Sequence, residues 1–193
     1  MFFAVGKMIE TILLDIDGVC NRFQYHVFNC LGLSYPDDSC YPVDCGWDIV
    51  MAANRLAGYE RFTTTTFWKS ITREMWAETP VSCEFKDILS LAVVKVGTRN
   101  VFFLTSPTLD ADCVAGKLEW IQRQTPRWMH RQYMIGPAKH LCAKCGVLLI
   151  DDSDSNVASF REAGGQAVLL PRPWNSLHGH HPMAYLGEQF KGF

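Results

Sequence analysis

The stretch LLDIDGVCN, Leu13 to Asn21, decides how the rest of the chain is read: an apolar run ends in two aspartates one residue apart, and a glycine follows. Successive residues of an extended strand point to opposite faces, so Asp15 would sit at a strand tip. Asp17 would return toward the same edge through a turn that Gly18 permits. Taken alone, the pattern is also that of an Asp- and Gly-containing turn capping the next segment. Three further apolar runs bear on the choice: Val101–Leu104, Val147–Ile150 and Ala167–Leu170. Like Ile12–Leu14, each is apolar throughout, the signature of parallel strands covered on both faces. Tyr133–Ile135 is a weaker fifth candidate.

Helical patterns lie between these runs. Leu109–Arg123 places Val114, Leu118 and Ile121 on one face with Thr108 as cap, and Ser153–Ala163 ends at a Gly pair. Strands alternating with helices predict a doubly wound, Rossmann-like α/β sheet. The alternation is interrupted from Cys20 to about Gly97. That stretch holds a loop rich in Asp, Pro and Cys (Ser34–Gly46) and helical segments around Asp48–Ala57 and Phe67–Trp76, after which Glu84–Val96 returns to the sheet. The division expected is a catalytic core of residues 1–19 and 98–193 and a small helical cap, 20–97, inserted after the first strand. The tail beyond Trp174, with His178, His180 and His181, reads as a polar, flexible end.

Composition narrows the function classes. The chain has 193 residues, 48% apolar and 20% charged, with net charge −2. It can bury a core, and it lacks the basic footprint of a partner for long nucleic acid. No run is long enough to span a bilayer, and the opening MFFAVGKM is broken at Lys7, below signal-peptide length, so a cytoplasmic protein is expected. Eight cysteines in a chain of this size read as reduced thiols. Cys142 and Cys145 form a CxxC, and zinc would need further ligands such as Cys40 and Cys45.

In open parallel sheets ligands bind at the carboxyl ends of the strands. The residues following the runs are Asp15 and Asp17, Thr105 and Ser106, and Asp151 and Asp152, with Lys139 in a turn after the weak strand. Each has a plain alternative, a helix cap for the hydroxyls and acids and a solvated surface residue for the lysine. Carboxylates crowded together repel unless a cation joins them, and an all-oxygen set selects Mg²⁺. Phosphoryl transfer then fits. Asp15 would attack phosphorus, Asp17 would protonate the leaving oxygen and activate water, and Thr105, Ser106 and Lys139 would hold the phosphate.

DIDGV, the hydroxyl pair after FFL, the lone Lys139 and LLIDD resemble, in order, the four motifs of haloacid dehalogenase superfamily phosphohydrolases. Together with LLPRPWN they are similar to the 5′(3′)-deoxyribonucleotidase group. The resemblance implies Mg²⁺ held by Asp15, the Asp17 carbonyl and one or both of Asp151 and Asp152. It implies Asp15 as nucleophile, Asp17 as acid/base, and Thr105, Ser106, Lys139 and Gly18 around the phosphate. It also implies cap aromatics against a nucleobase, for which Phe23, Trp47, Phe67, Trp68 and Trp76 are available. Cys20 and Asn21 after the first motif, and the Cys-rich loop Cys30–Cys45, depart from that group. The expected function is a Mg²⁺-dependent 5′-nucleotidase acting on nucleoside monophosphates. A phosphatase for a sugar phosphate or a polynucleotide 3′ end, and a catalytically silent nucleotide- or protein-binding member, remain alternatives. Whether the protein is a homodimer stays open.

Overall fold

In the computed structural model, which describes residues 8–193, five strands form one parallel sheet of order β3-β2-β1-β4-β5. The strands are β1 (Thr11–Leu14), β2 (Val101–Thr105), β3 (Tyr133–Ile135), β4 (Val147–Asp151) and β5 (Gln166–Leu169). The reading of the opening stretch through Lys7 lies outside the described residues. All four apolar runs and the weaker fifth are strands, for the reason the pattern suggested. In β1, Ile12 and Leu14 enter one core layer while Leu13 enters the other, and β4 repeats this with Leu148 and Ile150 against Val147 and Leu149. Neither face meets water, so neither face can afford polar residues.

Among the described residues eight α-helices follow in chain order: α1 (Phe23–Cys30), α2 (Ile49–Ala57), α3 (Thr64–Lys69), α4 (Arg73–Glu78), α5 (Phe85–Val96), α6 (Ala111–Gln124), α7 (Asp154–Glu162) and α8 (Pro182–Lys191). One sheet face is covered by Phe85, Ile88 and Ala92 of α5, Trp120 and Ile121 of α6, and Leu186 of α8. The other face is covered by Val157 and Phe160 of α7. A second apolar cluster lies off the sheet, built from α1 to α4 and the loop between α1 and α2, with Cys113 of α6 and Trp174 closing it. Gly116 makes that junction possible, because a Cβ there would stand 2.4 Å from the Trp76 Cβ and 2.6 Å from the Arg73 carbonyl oxygen. Trp120 Nε1 also donates to the Thr79 carbonyl at 2.7 Å.

Three local expectations are corrected. The helix after β2 starts at Ala111 and is capped by Asp110, whose side chain accepts from the Asp112 N–H, not by Thr108. Its buried face is Cys113, Gly116, Lys117, Trp120 and Ile121, whereas Val114 is exposed. Phe67–Trp76 is two short helices, because Thr72 caps a new start after Ser70 ends the first. The tail is ordered: His181 caps α8 and Pro182 occupies its first turn, where the missing N–H costs nothing.

Candidate active site

Strand order reverses at β1: the chain continues to β2 and β3 on one side and to β4 and β5 on the other, which opens a crevice at the carboxyl end of β1. Leu14 pairs with Ile150, and the Asp15 N–H donates to the Ile150 carbonyl at 2.9 Å. Asp15 and Asp151 therefore leave adjacent strands side by side. Between them lies Lys139, 3% exposed, with Nζ 2.9 Å from Asp15 Oδ1 and 2.7 Å from Asp151 Oδ2. Burial pulls the lysine's pKa down, but Asp15 and Asp151 outweigh it and hold the ammonium above its ordinary value.

Asp15, Asp151 and Asp152 each offer a carboxylate oxygen within 4.8 Å of the others, and all three are buried. Burial first, and then the neighbouring carboxylates, push Asp152 well above the usual range. Asp151 is raised by burial and Asp15 against the pull of Lys139. Asp152 Oδ2 accepts from Trp174 Nε1 at 2.7 Å, but its Oδ1 is buried without any hydrogen-bond partner. One lysine cannot neutralise three buried carboxylates. The orphaned oxygen and the all-oxygen donor set fit a hard divalent cation.

Asp17 stands on the other side of Asp15. Its Oδ1 accepts from Asn21 Nδ2 at 3.0 Å, and its Oδ2 is ion-paired with Lys117. Lys117, 2% exposed, also donates to Thr105 Oγ1 at 2.8 Å and to the Ser106 carbonyl at 2.7 Å. A hydroxyl that accepts from an ammonium turns its own hydrogen elsewhere, so Lys117 leaves Thr105 free to donate to a ligand oxygen. Sequence reasoning missed Lys117. Its only signal was a charged residue four positions before Ile121 and three before Trp120, on what becomes the buried face of α6.

The downstream segment braces the same edge from behind. Arg172 Nε donates to the Gly18 carbonyl at 2.5 Å, its Nη1 pairs with Glu84 at 3.0 Å, and Asn175 Nδ2 donates to the Asp152 carbonyl at 2.9 Å. Gly18 has φ +73°, and a Cβ there would fall 1.9 Å from Asp152 Oδ2. Its structural demand is thus to let Asp152 approach, and it lines a separate small cavity with Arg172 and Trp174.

A cleft of about 470 Å³ opens over Asp15, Asp17, Lys139 and Asp152, and Thr105 and Ser106 also border it. Of the five aromatics singled out, Phe23, Trp47, Trp68 and Trp76 line the cleft. Phe23 and Trp76 stack at 4.5 Å between centroids and 15° between planes, and Trp68 and Trp76 lie within 4° of parallel. Phe67 is not on the cleft. It is fully buried, edge-on to Phe62 and Trp68, and serves the helical core. Among the described residues all eight cysteines are unpaired, and Cys142 Sγ meets Met134 Sδ at 3.8 Å. No described helix is long and apolar enough to cross a membrane.

No protein-family model matches this sequence, and no curated protein does. Solved structures do resemble the fold. A hydrolase from Streptococcus pneumoniae superposes with a TM-score of 0.57 at 10% identity, over 95% of this chain and 99% of that one. The HAD-hydrolase YfnB from Bacillus subtilis, bound to magnesium, gives 0.54 at 14% identity over 85% and 87%. A HAD family hydrolase from Deinococcus radiodurans with bound phosphate and sodium gives 0.51 at 13% identity over 86% and 85%. The fold is that of the haloacid dehalogenase-like hydrolases.

Proposed function

We propose that the chain is a Mg²⁺-dependent phosphomonoesterase that hydrolyses nucleoside monophosphates, ribo or deoxyribo, through an aspartyl-phosphate. The observation that carries this reading is the convergence of Asp15, Asp17, Lys139, Thr105, Ser106 and Asp152 on a single cleft walled by aromatic rings, with Asp151 buried behind Lys139 and within 4.8 Å of the other two carboxylates. The magnesium-bound and phosphate-bound hydrolases of the same fold support the ligand classes.

Asp15 Oδ1 is occupied by the Ile16 N–H at 2.8 Å and by Lys139, so Oδ2 is the oxygen free to attack. A bond forms from that oxygen to phosphorus as the bond from phosphorus to the leaving oxygen breaks. The leaving oxygen takes a proton from Asp17. Each Asp17 oxygen accepts one protein hydrogen bond and keeps a second lone-pair site for that proton. Asp17 then removes a proton from water, which attacks phosphorus and releases Asp15. Lys139, the Thr105 hydroxyl and the Ser106 amide hold the phosphoryl oxygens. Magnesium held by Asp15, the Asp17 carbonyl, Asp151 and Asp152 would offset charge on the phosphate. Helices α1 to α4 and the loop between α1 and α2, in this reading, form the cap that encloses the leaving group, with Phe23, Trp47, Trp68 and Trp76 as candidate stacking partners, while α5 covers the sheet.

The test is a phosphate-release screen over ribo- and deoxyribonucleoside 5′- and 3′-monophosphates, sugar phosphates and p-nitrophenyl phosphate, with and without chelator. Magnesium-dependent release, fastest on nucleotides, is expected. Equal rates on sugar phosphates would move the substrate to the smaller class, and silence on every monophosphate would remove the hydrolase reading.

A further inference from the structure

Gln24 lies on the first turn of α1 with Val27 and Phe28 three and four residues on, so it shares the helix face buried in the apolar cluster. It is 8% exposed. Its Oε1 is buried and finds no hydrogen-bond partner, a cost that an apolar residue at the same place would avoid. Among the described residues two other buried oxygens share that condition. Asp152 Oδ1 belongs to the carboxylate cluster, and Gln166 sits on β5 away from the cleft. Gln24 lines the cleft that Phe23, Trp68 and Trp76 also line, and Asp15 and Asp17 border the same cleft.

A carboxamide whose oxygen is dry and unpaired next to stacked rings is what a pocket needs in order to select a flat ligand carrying an N–H, once a turn about its terminal torsion brings that oxygen to the cleft. A bound donor satisfies the oxygen, and a ligand without one leaves it orphaned. We infer that Gln24 is a specificity-determining residue whose carboxamide accepts from an N–H on the heterocycle of the leaving group. The inference rests on the hydrolase reading only for where the phosphate lies. The carboxamide also carries a donor pair, so the adjacent carbonyl or ring nitrogen of a nucleobase can be read at the same time.

The experiment compares wild type with Gln24→Met, which keeps the length and apolar face of the side chain. It is read as the ratio of kcat/KM for nucleoside 5′-monophosphates to kcat/KM for p-nitrophenyl phosphate, which has a flat ring and no N–H. The ratio should fall about tenfold, mainly through KM, while the melting temperature does not drop, because an unpaired amide replaced by thioether loses no internal hydrogen bond. For the best nucleotide, methylation of the base N–H should cost wild type a similar factor and Gln24→Met little. An unchanged ratio, or a lowered melting temperature with equal loss on all substrates, would overturn the assignment. If wild type hydrolyses no phosphomonoester, the hydrolase reading falls on its own. Calorimetric titration of the same nucleotides into both proteins then decides: about tenfold weaker binding to Gln24→Met supports the role, and equal or absent binding overturns it.

Discussion

The strand tips and the helical wall above them solve different problems. At the tips every charged side chain is fixed by at least one partner: Lys139 by Asp15 and Asp151, Lys117 by Asp17, Thr105 and Ser106, and Asp151 also by Asn156. On the wall, rings pack on rings, Trp47 is 52% exposed, and the Gln24 oxygen is left unpaired with no carboxylate cluster around it, unlike the orphaned Asp152 Oδ1 at the tips. Chemistry requires groups held to a fraction of an ångström before the ligand arrives, whereas recognition requires surfaces that the ligand completes. The contrast predicts that tip substitutions act on kcat for all substrates and wall substitutions act on KM for particular ones.

The largest expected effect is that of Asp15→Asn, which should lower kcat by about 10⁴-fold or more on every phosphomonoester, measured by phosphate release. Retained turnover would show that the tips are not where the chemistry occurs. Lys117→Met should lower kcat by about 10²-fold with KM little changed. Because Lys117 holds Asp17, the loss should be greater on sugar phosphates, whose leaving oxygen needs a proton, than on p-nitrophenyl phosphate, whose leaving group does not. Lys117→Arg should recover part of it. A loss equal on both leaving groups would assign Lys117 to Thr105 alone. Trp68→Ala should raise KM for nucleotides by about tenfold and leave kcat near wild type, since ring stacking contributes roughly 0.5–1.5 kcal/mol beyond area burial. A fall in kcat of similar size would erase the distinction between tip and wall.

The smallest effect concerns the brace behind the tips. Burial alone would raise the Glu84 pKa, but the Arg172 guanidinium outweighs it and holds the carboxyl below its ordinary value. A depressed folded-state pKa contributes stability above the unfolded pKa of about 4.3, lost as pH falls through the folded value. The stability difference between wild type and Glu84→Gln, read from denaturant midpoints, should therefore be present at pH 6 to 7 and shrink below about pH 4. A difference independent of pH would mean that Glu84 acts by packing.

The same contrast explains what the sequence made legible. Apolar runs with carboxylates at their ends are visible because burial on both faces excludes polar residues until the strand stops. Asp15, Asp17, Thr105, Ser106, Asp151 and Asp152 are legible by position for that reason, whereas Lys139 lies in a turn beyond the half-exposed β3, and the structure brings all seven close together. Lys117 was hidden because it lies within a helix whose apolar periodicity, read from Val114, Leu118 and Ile121, puts the wrong face inward. The turn in register came from Gly116, which lets α4 approach and draws Lys117 and Cys113 into the core. Phe67 and Phe23 could not be separated by type, since an aromatic ring suits a core and a cleft equally. His181 and Pro182 read as a polar tail because capping depends on the helix that follows, and α8 is short and of mixed composition. Gly18 was assigned to phosphate for its motif, while its φ and the approach of Asp152 show a steric demand.

The central claim is that Asp15 becomes covalently phosphorylated, and trapping tests it most directly. Turnover quenched during the first cycle and reduced with borohydride converts an aspartyl-phosphate to homoserine, which peptide mass spectrometry locates. The account predicts homoserine at position 15, dependent on magnesium and absent from Asp15→Asn. Turnover with no modified residue, or modification at another carboxylate, would contradict it.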